Sequence, residues 1–126
     1  MDDIVADPGL RKPIYEFDKE IRDEAKMAYL SMGPCQPRGH VFPRKLQGER
    51  MRGFIKTWFD RFDWLEYSVQ KDAAYCFYCY LFKPERIGNW ENDTFTKDGY
   101  VNWRRGLETL TMVNFVCNIV EIFACH

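Results

Sequence analysis

The feature that most constrains this chain is a pair of cysteines, Cys76 and Cys79, inside the aromatic stretch DAAYCFYCYLF at residues 72–82. Such a run of aromatic and apolar residues predicts a β-strand, the second strand of a hairpin whose first strand is WLEYS. Alternation along a flat strand would place the two cysteines on opposite faces. A metal ion could therefore be held by both sulfurs only if the strand breaks at Phe77 and Tyr78.

A structural zinc ion needs four ligands, which proteins usually supply as two close pairs. Cys76 and Cys79 form one such pair. Cys35 and His40, in a loop rich in glycine and proline, have usable spacing for the second pair, and we predict zinc as the cofactor. The tail residues Cys117, Cys125 and His126 are alternatives, although buried small side chains are the simpler interpretation of the two cysteines.

Two other uses of these cysteines are not expected. A redox pair needs a CxxC at the N-terminus of a helix that follows a strand, whereas this pair lies in strand-like sequence. The five cysteines are odd in number and the N-terminal sequence is not that of a secretory signal peptide, so disulfides are not expected either.

The remaining pattern predicts a small α+β domain, zinc-finger-like, with a β-hairpin that contains the CxxC and short flanking helices. Two prolines predict an extended N-terminal arm over residues 1–14. The domain itself spans residues 15–105, and an apolar C-terminal tail of uncertain origin spans residues 106–126. The tail is too short and too polar to cross a bilayer.

Apolar periodicity places the helices. Phe17, Ile21, Ala25 and Ala28 form one stripe on a charged helix that Gly33 ends. The loop after it, CQPRGHVFPRKLQGER, is predicted to be irregular. Phe54, Trp58 and Phe62 then recur every four residues, which predicts a short helix facing the core. A further helix is predicted to start within YVNWRRGLETL.

Charge is distributed unevenly although the formal net charge is only −1. Residues 38–61 contain seven basic and two acidic side chains, which indicates an anion-binding face. The alternative is an ordinary solvated surface. The candidate anion-contacting residues are Arg44, Lys45, Arg50, Arg52, Lys56, Arg104 and Arg105.

No catalytic motif accompanies these features. The sequence lacks a glycine-rich phosphate loop, an HExxH motif and a nucleophile elbow, so an enzyme is not expected. A second hypothesis is a protein-interaction module, in which exposed aromatics around Tyr78, Tyr80 and Trp90 meet another chain.

Four stretches in a fixed order resemble a known family: DPGLRKPI, RDEAKMAYLSMGPCQPRGHVFP, TWFDRFDWLEYSVQKDAAYCFYCYLF and FTKDGYVNW. Together, over about residues 6–105, they resemble the TTF-type zinc-finger region that precedes the catalytic part of hAT-superfamily transposases and their MYM-type-zinc-finger-like relatives, especially those of plants. The resemblance implies a nuclear, zinc-dependent DNA-binding module with Cys76 and Cys79 as its first ligand pair. The candidate anion-contacting residues are then predicted to contact DNA.

The family's second ligand pair lies beyond the tryptophan that matches Trp103 and typically consists of histidines. Here the sequence continues instead as TMVNFVCNIVEIFACH. The resemblance therefore implies a product truncated or mis-spliced after the finger and lacking the catalytic domain, with a non-functional remnant as the alternative.

Overall fold

The computed structural model describes residues 4–82 and 93–124. Within these ranges the chain has four α-helices and two separate antiparallel hairpins, so the predicted α+β class is confirmed. In chain order the elements are α1 (Arg22–Met32), β1 (Lys45–Gln47), β2 (Arg50–Arg52), α2 (Trp58–Arg61), β3 (Leu65–Ser68), β4 (Ala73–Cys76), α3 (Phe77–Phe82) and α4 (Gly106–Ala124).

Helix α1 ends where the sequence predicts but begins later. Gly33 terminates it with a φ of 78°, a left-handed backbone angle that glycine adopts without steric cost. The predicted stripe included Phe17, which instead lies in extended backbone after a single 3₁₀ turn at Ile14–Glu16. Phe17 is nevertheless buried, because this segment packs its side chain against α1 and α3.

The second hairpin is present, but the prediction that it contains the CxxC pair is wrong, because its second strand ends at Cys76 and Cys79 lies in α3. Strands β3 and β4 pair from Leu65 opposite Cys76 to Ser68 opposite Ala73. At Phe77 the backbone turns into α3, so the strand breaks at the place that a metal site would require. Continuous apolar runs do not distinguish a strand from a buried helix, which is why the sequence pattern was misleading here.

Helix α3 lies between two cores. Its residues Phe77, Tyr80 and Leu81 pack into a small cluster with α1 residues, including Tyr29. Its other side faces the main core, to which it contributes Cys79. The main core is aromatic, and its buried rings are Phe54, Trp58, Phe59, Phe62, Trp64, Tyr67 and Trp103. The helix predicted to carry Phe54, Trp58 and Phe62 is only the single turn α2, which contains Trp58 but not the other two.

The loop predicted to be irregular contains the short hairpin β1–β2. A two-residue turn joins its strands, and Gly48 occupies the first turn position with a φ of 71°. The strands have only three residues each, too few for alternation to stand out in the sequence.

The predicted C-terminal tail, residues 106–126, is helical in the structure as far as Ala124. Helix α4 packs on α3 and contributes Leu110 and Cys117 to the main core, so it shares that core with the preceding residues. Cys125 and His126 lie outside the described residues. Among the described helices, none is long and apolar enough to span a membrane.

Candidate metal centre

Three cysteines meet in the main core. The sulfur atoms of Cys76, Cys79 and Cys117 all lie within 4.8 Å of one another, and all three residues are buried. The Sγ atoms of Cys79 and Cys117 are 3.7 Å apart. Two thiolates that share a tetrahedral zinc ion, with Zn–S bonds of about 2.3 Å, stand roughly 3.8 Å apart. This group of three sulfurs, called the cysteine triad below, could therefore hold a metal ion.

The turn from strand to helix brings the first two sulfurs together. Cys76 is the last residue of β4, and the backbone N–H of the next residue, Phe77, donates to the carbonyl oxygen of Trp64 at 2.9 Å. Cys79 lies in the first turn of α3, and its backbone N–H donates to the Sγ atom of Cys76 at 3.4 Å. The Cys76 sulfur thus occupies the position of a helix cap and points toward Cys79.

Helix α4 delivers the third sulfur. Leu110, Val113, Cys117 and Val120 recur at intervals of three, four and three residues, and this stripe packs against the main core. A hydrogen bond of 2.8 Å from the indole Nε1 of Trp64 to the Asn114 side-chain oxygen fixes the helix beside the strand-to-helix junction.

The environment keeps the Cys76 thiol protonated when no metal is bound. Burial raises the pKa of the Cys76 thiol well above its usual range, and its hydrogen bonds to Cys117 and Cys79 raise it further. A metal ion would have to displace the protons, so binding would release protons and weaken in acid.

The same observation bears on the redox interpretation. The strand-like sequence predicts that both cysteines lie in a strand, and this prediction is wrong, because Cys79 lies in the first turn of a helix that follows a strand. The better reason is burial: Cys76 is 0% exposed and its pKa is raised, whereas a redox-active thiol needs access and a lowered pKa.

The structure does not bring Cys35 and His40 to this site. Cys35 donates its backbone N–H to Glu66 at 3.0 Å, and its Sγ lies 3.7 Å from the Tyr67 carbonyl oxygen. Burial, and then the nearby Glu66 carboxylate, raises the pKa of Cys35 to about 11. The His40 ring packs 5.7 Å from the Tyr67 ring. Among the described residues, only the cysteine triad forms a metal-ligating group of this kind.

The sequence named Cys117 only as an alternative ligand, favoured a core position for it, and did not predict that it meets Cys76 and Cys79. It is fully buried, as expected of a small apolar side chain, but it also contacts Cys79. The available signal was its place in the helical stripe of α4, which predicts that it faces inward. Which inward-facing groups it meets depends on how α4 packs on α3.

Four of the predicted DNA-contacting residues lie at the hairpin β1–β2: Lys45, Arg50 and Arg52 belong to its strands, and Arg104 contacts its turn. Lys45 lies opposite Arg52 across the hairpin, and Arg50 lies opposite Gln47. Gln47 binds the segment before α4, because its amide donates to the Val101 carbonyl and its side-chain oxygen accepts the Arg104 backbone N–H, both at 3.0 Å.

This contact brings a basic residue from the far end of the domain to the hairpin. The Arg104 side chain lies against the turn at Gly48. Arg50 and Arg104 are exposed and Arg52 is half-buried, whereas Lys45 forms an ion pair of 3.2 Å with Asp72. Arg44 and Lys56 are also exposed, and exposed Arg105 lies 3.9 Å from Glu108.

The aromatic surface proposed for a protein partner is not supported. Tyr80 is 4% exposed, and its hydroxyl donates to the Lys12 carbonyl oxygen, so the prediction of an exposed side chain is wrong for this residue. Tyr78 is half-buried, and Trp90 lies outside the described residues.

A buried ion pair holds the N-terminal arm. The two terminal guanidinium nitrogens of Arg11 donate to the Glu66 carboxylate, Nη2 at 2.6 Å and Nη1 at 3.1 Å, and both side chains are 1% exposed. The Arg11 guanidinium also stacks 3.7 Å from the centre of the Tyr80 ring. Residues 4–13, without helix or strand, are therefore anchored to the domain.

Comparison with known proteins identifies no relative. No family model, no curated protein and no solved structure matches this chain.

Proposed function

We propose that this chain is a zinc-dependent, nuclear DNA-binding module that binds rather than catalyses. The cysteine triad is the single observation that carries this proposal, because it is a buried group of soft ligands contributed by two separate parts of the chain. The sequence resemblance to TTF-type fingers of hAT transposases supports the same function.

Zinc suits the triad better than other common divalent ions. Thiolates favour zinc and other soft metals, whereas magnesium and calcium take oxygen ligands. Zinc would be bound by the Sγ atoms of Cys76, Cys79 and Cys117, and a fourth ligand would complete the tetrahedron. Cys125 and His126 lie outside the described residues, and substituting each of them tests whether it supplies that ligand.

Metal binding would also affect, through α4, the basic side chains at the hairpin β1–β2. Zinc would join the β4–α3 junction to α4, and the residues immediately before α4 contact the hairpin β1–β2 through Gln47. The side chains of Arg50, Arg52 and Arg104 would then be held in one arrangement relative to each other. Contacts between such residues and phosphates supply salt-dependent, sequence-independent affinity.

The first test is metal content. We expect about one zinc per chain in the purified protein, since three converging thiols form most of one structural site. A Cys76→Ser/Cys79→Ser double variant should lose it. A folded wild-type chain that takes up no zinc would refute the metal part of the proposal.

The second test is DNA binding, followed by fluorescence anisotropy of a labelled duplex as salt is varied. Replacing Arg50 and Arg52 by Ala should weaken binding about equally for unrelated sequences and reduce the slope of log K against log salt by roughly 2, about 0.9 per lost phosphate contact. Lys19→Ala/Lys26→Ala is the control, because it removes the same charge from α1 and the segment before it, outside the hairpin β1–β2. Equal losses in both double variants, or no loss in either, would contradict the assigned surface.

A further inference from the structure

Helix α4 is apolar on two opposite faces. Its inner face, the stripe around Cys117, packs against the main core. Its outer face presents large apolar side chains to solvent: Met112 is 73% exposed, Phe115 71%, Ile119 37% and Ile122 59%. A helix that is apolar all round normally lies buried, so the outer face needs a partner.

The spacing of the outer face specifies what kind of partner fits. The apolar residues of this face recur at intervals of three, four and three positions: Met112, Phe115, Ile119 and Ile122. This is the spacing of the apolar seam of a coiled coil. Such a seam packs against another helix with the same repeat. We propose that the outer face of α4 is a dimer interface in which two copies of this chain pair their α4 helices antiparallel.

Charge around the seam favours a second copy over a different partner. Pairing between different coiled-coil helices is usually selected by complementary charges beside the seam. Here the described flanking residues are uncharged: Thr111, Val116 and Asn118. Two copies would therefore meet without like charges beside the seam.

The antiparallel orientation follows from the N-terminal end of the seam. Glu108 lies one turn before Met112 on the same face and is 67% exposed. Parallel helices would place the two Glu108 carboxylates opposite each other, which is unfavourable. Antiparallel helices separate them, oppose the helix dipoles and match the side chains: Met112 lies opposite Ile122 and Phe115 opposite Ile119.

The exposed area suffices for a weak dimer. Large apolar side chains have roughly 150–250 Å² of surface each, so the exposed parts of these four sum to about 500 Å². Two copies would bury about 1,000 Å² in total, the lower limit for a specific interface, so we expect a dimer that dissociates on dilution. The two-fold contact closes on itself and does not build filaments.

Sedimentation equilibrium of the full chain from roughly 1 to 500 µM, the range appropriate to an interface of this size, tests the proposal. The average mass should rise from 15.1 kDa toward twice that value. Met112→Lys should weaken association at least tenfold. The matched control is Met27→Lys, since Met27 is a 66% exposed methionine on α1 and should have no effect.

Cysteine cross-linking tests the orientation. In the antiparallel pair the two copies of Asn118 lie beside each other across the two-fold axis, so Asn118→Cys should form a dimer disulfide on mild oxidation that the wild-type chain does not form. A chain that stays monomeric throughout the concentration range would overturn the proposal. Association unchanged by Met112→Lys, or no Asn118→Cys cross-link in the associated protein, would also overturn it.

Discussion

Replacing Cys117 by alanine is the sharpest test of the cysteine triad. Its sulfur is one of three that converge, and the Cys79 sulfur lies 3.7 Å away. Structural zinc sites in small fingers contribute about 10–16 kcal/mol, so each of four ligands accounts for roughly 3 kcal/mol. We therefore expect Cys117→Ala to weaken zinc binding about 100-fold.

The loss should be specific to the metal. Cys117 is fully buried, so removing its sulfur leaves a small void that costs about 1 kcal/mol of unfolding free energy without metal. Competition with a chromophoric chelator measures the affinity, and cadmium–thiolate absorption in the near ultraviolet reports how many thiolates bind. The variant should show weaker absorption per bound cadmium than the wild type.

Cys35→Ala and His40→Ala are the controls, because neither residue belongs to the triad. Zinc affinity should be unchanged in both variants. If these two substitutions weaken zinc binding while Cys117→Ala does not, the ligand assignment is wrong and the original pairing with Cys35 and His40 is right.

Three further predictions concern the scaffold and the thiols. Arg11→Met should lower the free energy of unfolding in chemical denaturation by about 3–5 kcal/mol, because it leaves the buried Glu66 carboxylate unpaired. The double variant Arg11→Met/Glu66→Leu should recover most of that loss. Equal losses in the two variants would contradict this reasoning. Asn114→Ala should cost about 1–2 kcal/mol by leaving the indole N–H of Trp64 without its acceptor, and Trp64 fluorescence should change with it. The raised pKa of Cys35, about 11, keeps this thiol protonated at pH 8. Alkylation of Cys35 in the folded protein should therefore be about one-hundredth as fast as in the unfolded chain, as measured by mass spectrometry. Because the folded protein favours the protonated Cys35 thiol, the contribution of this group to the free energy of unfolding is complete below about pH 9 and is lost as pH rises through about 11.

Several features of this fold follow from local rules and can be predicted from the residues alone. Gly33 ends α1 because it accepts a left-handed backbone angle, and Phe54, Trp58 and Phe62 are buried in the main core as their spacing predicts, although only Trp58 lies in α2. The hairpin β3–β4 also follows from two apolar runs joined by a polar turn. The need for a break in the strand followed from the CxxC spacing and strand geometry, and α3 supplies that break.

Tertiary structure decided the rest. The apolar stretch that contains Phe77, Tyr80 and Leu81 is compatible with either a strand or a helix. It forms the helix α3, whose two sides pack against two different cores. No local pattern links Cys117 to a cysteine 38 positions earlier, since that contact depends on how α4 packs on α3. A ligand set is a property of distances in space, and sequence spacing fixes such distances only within one turn or one strand.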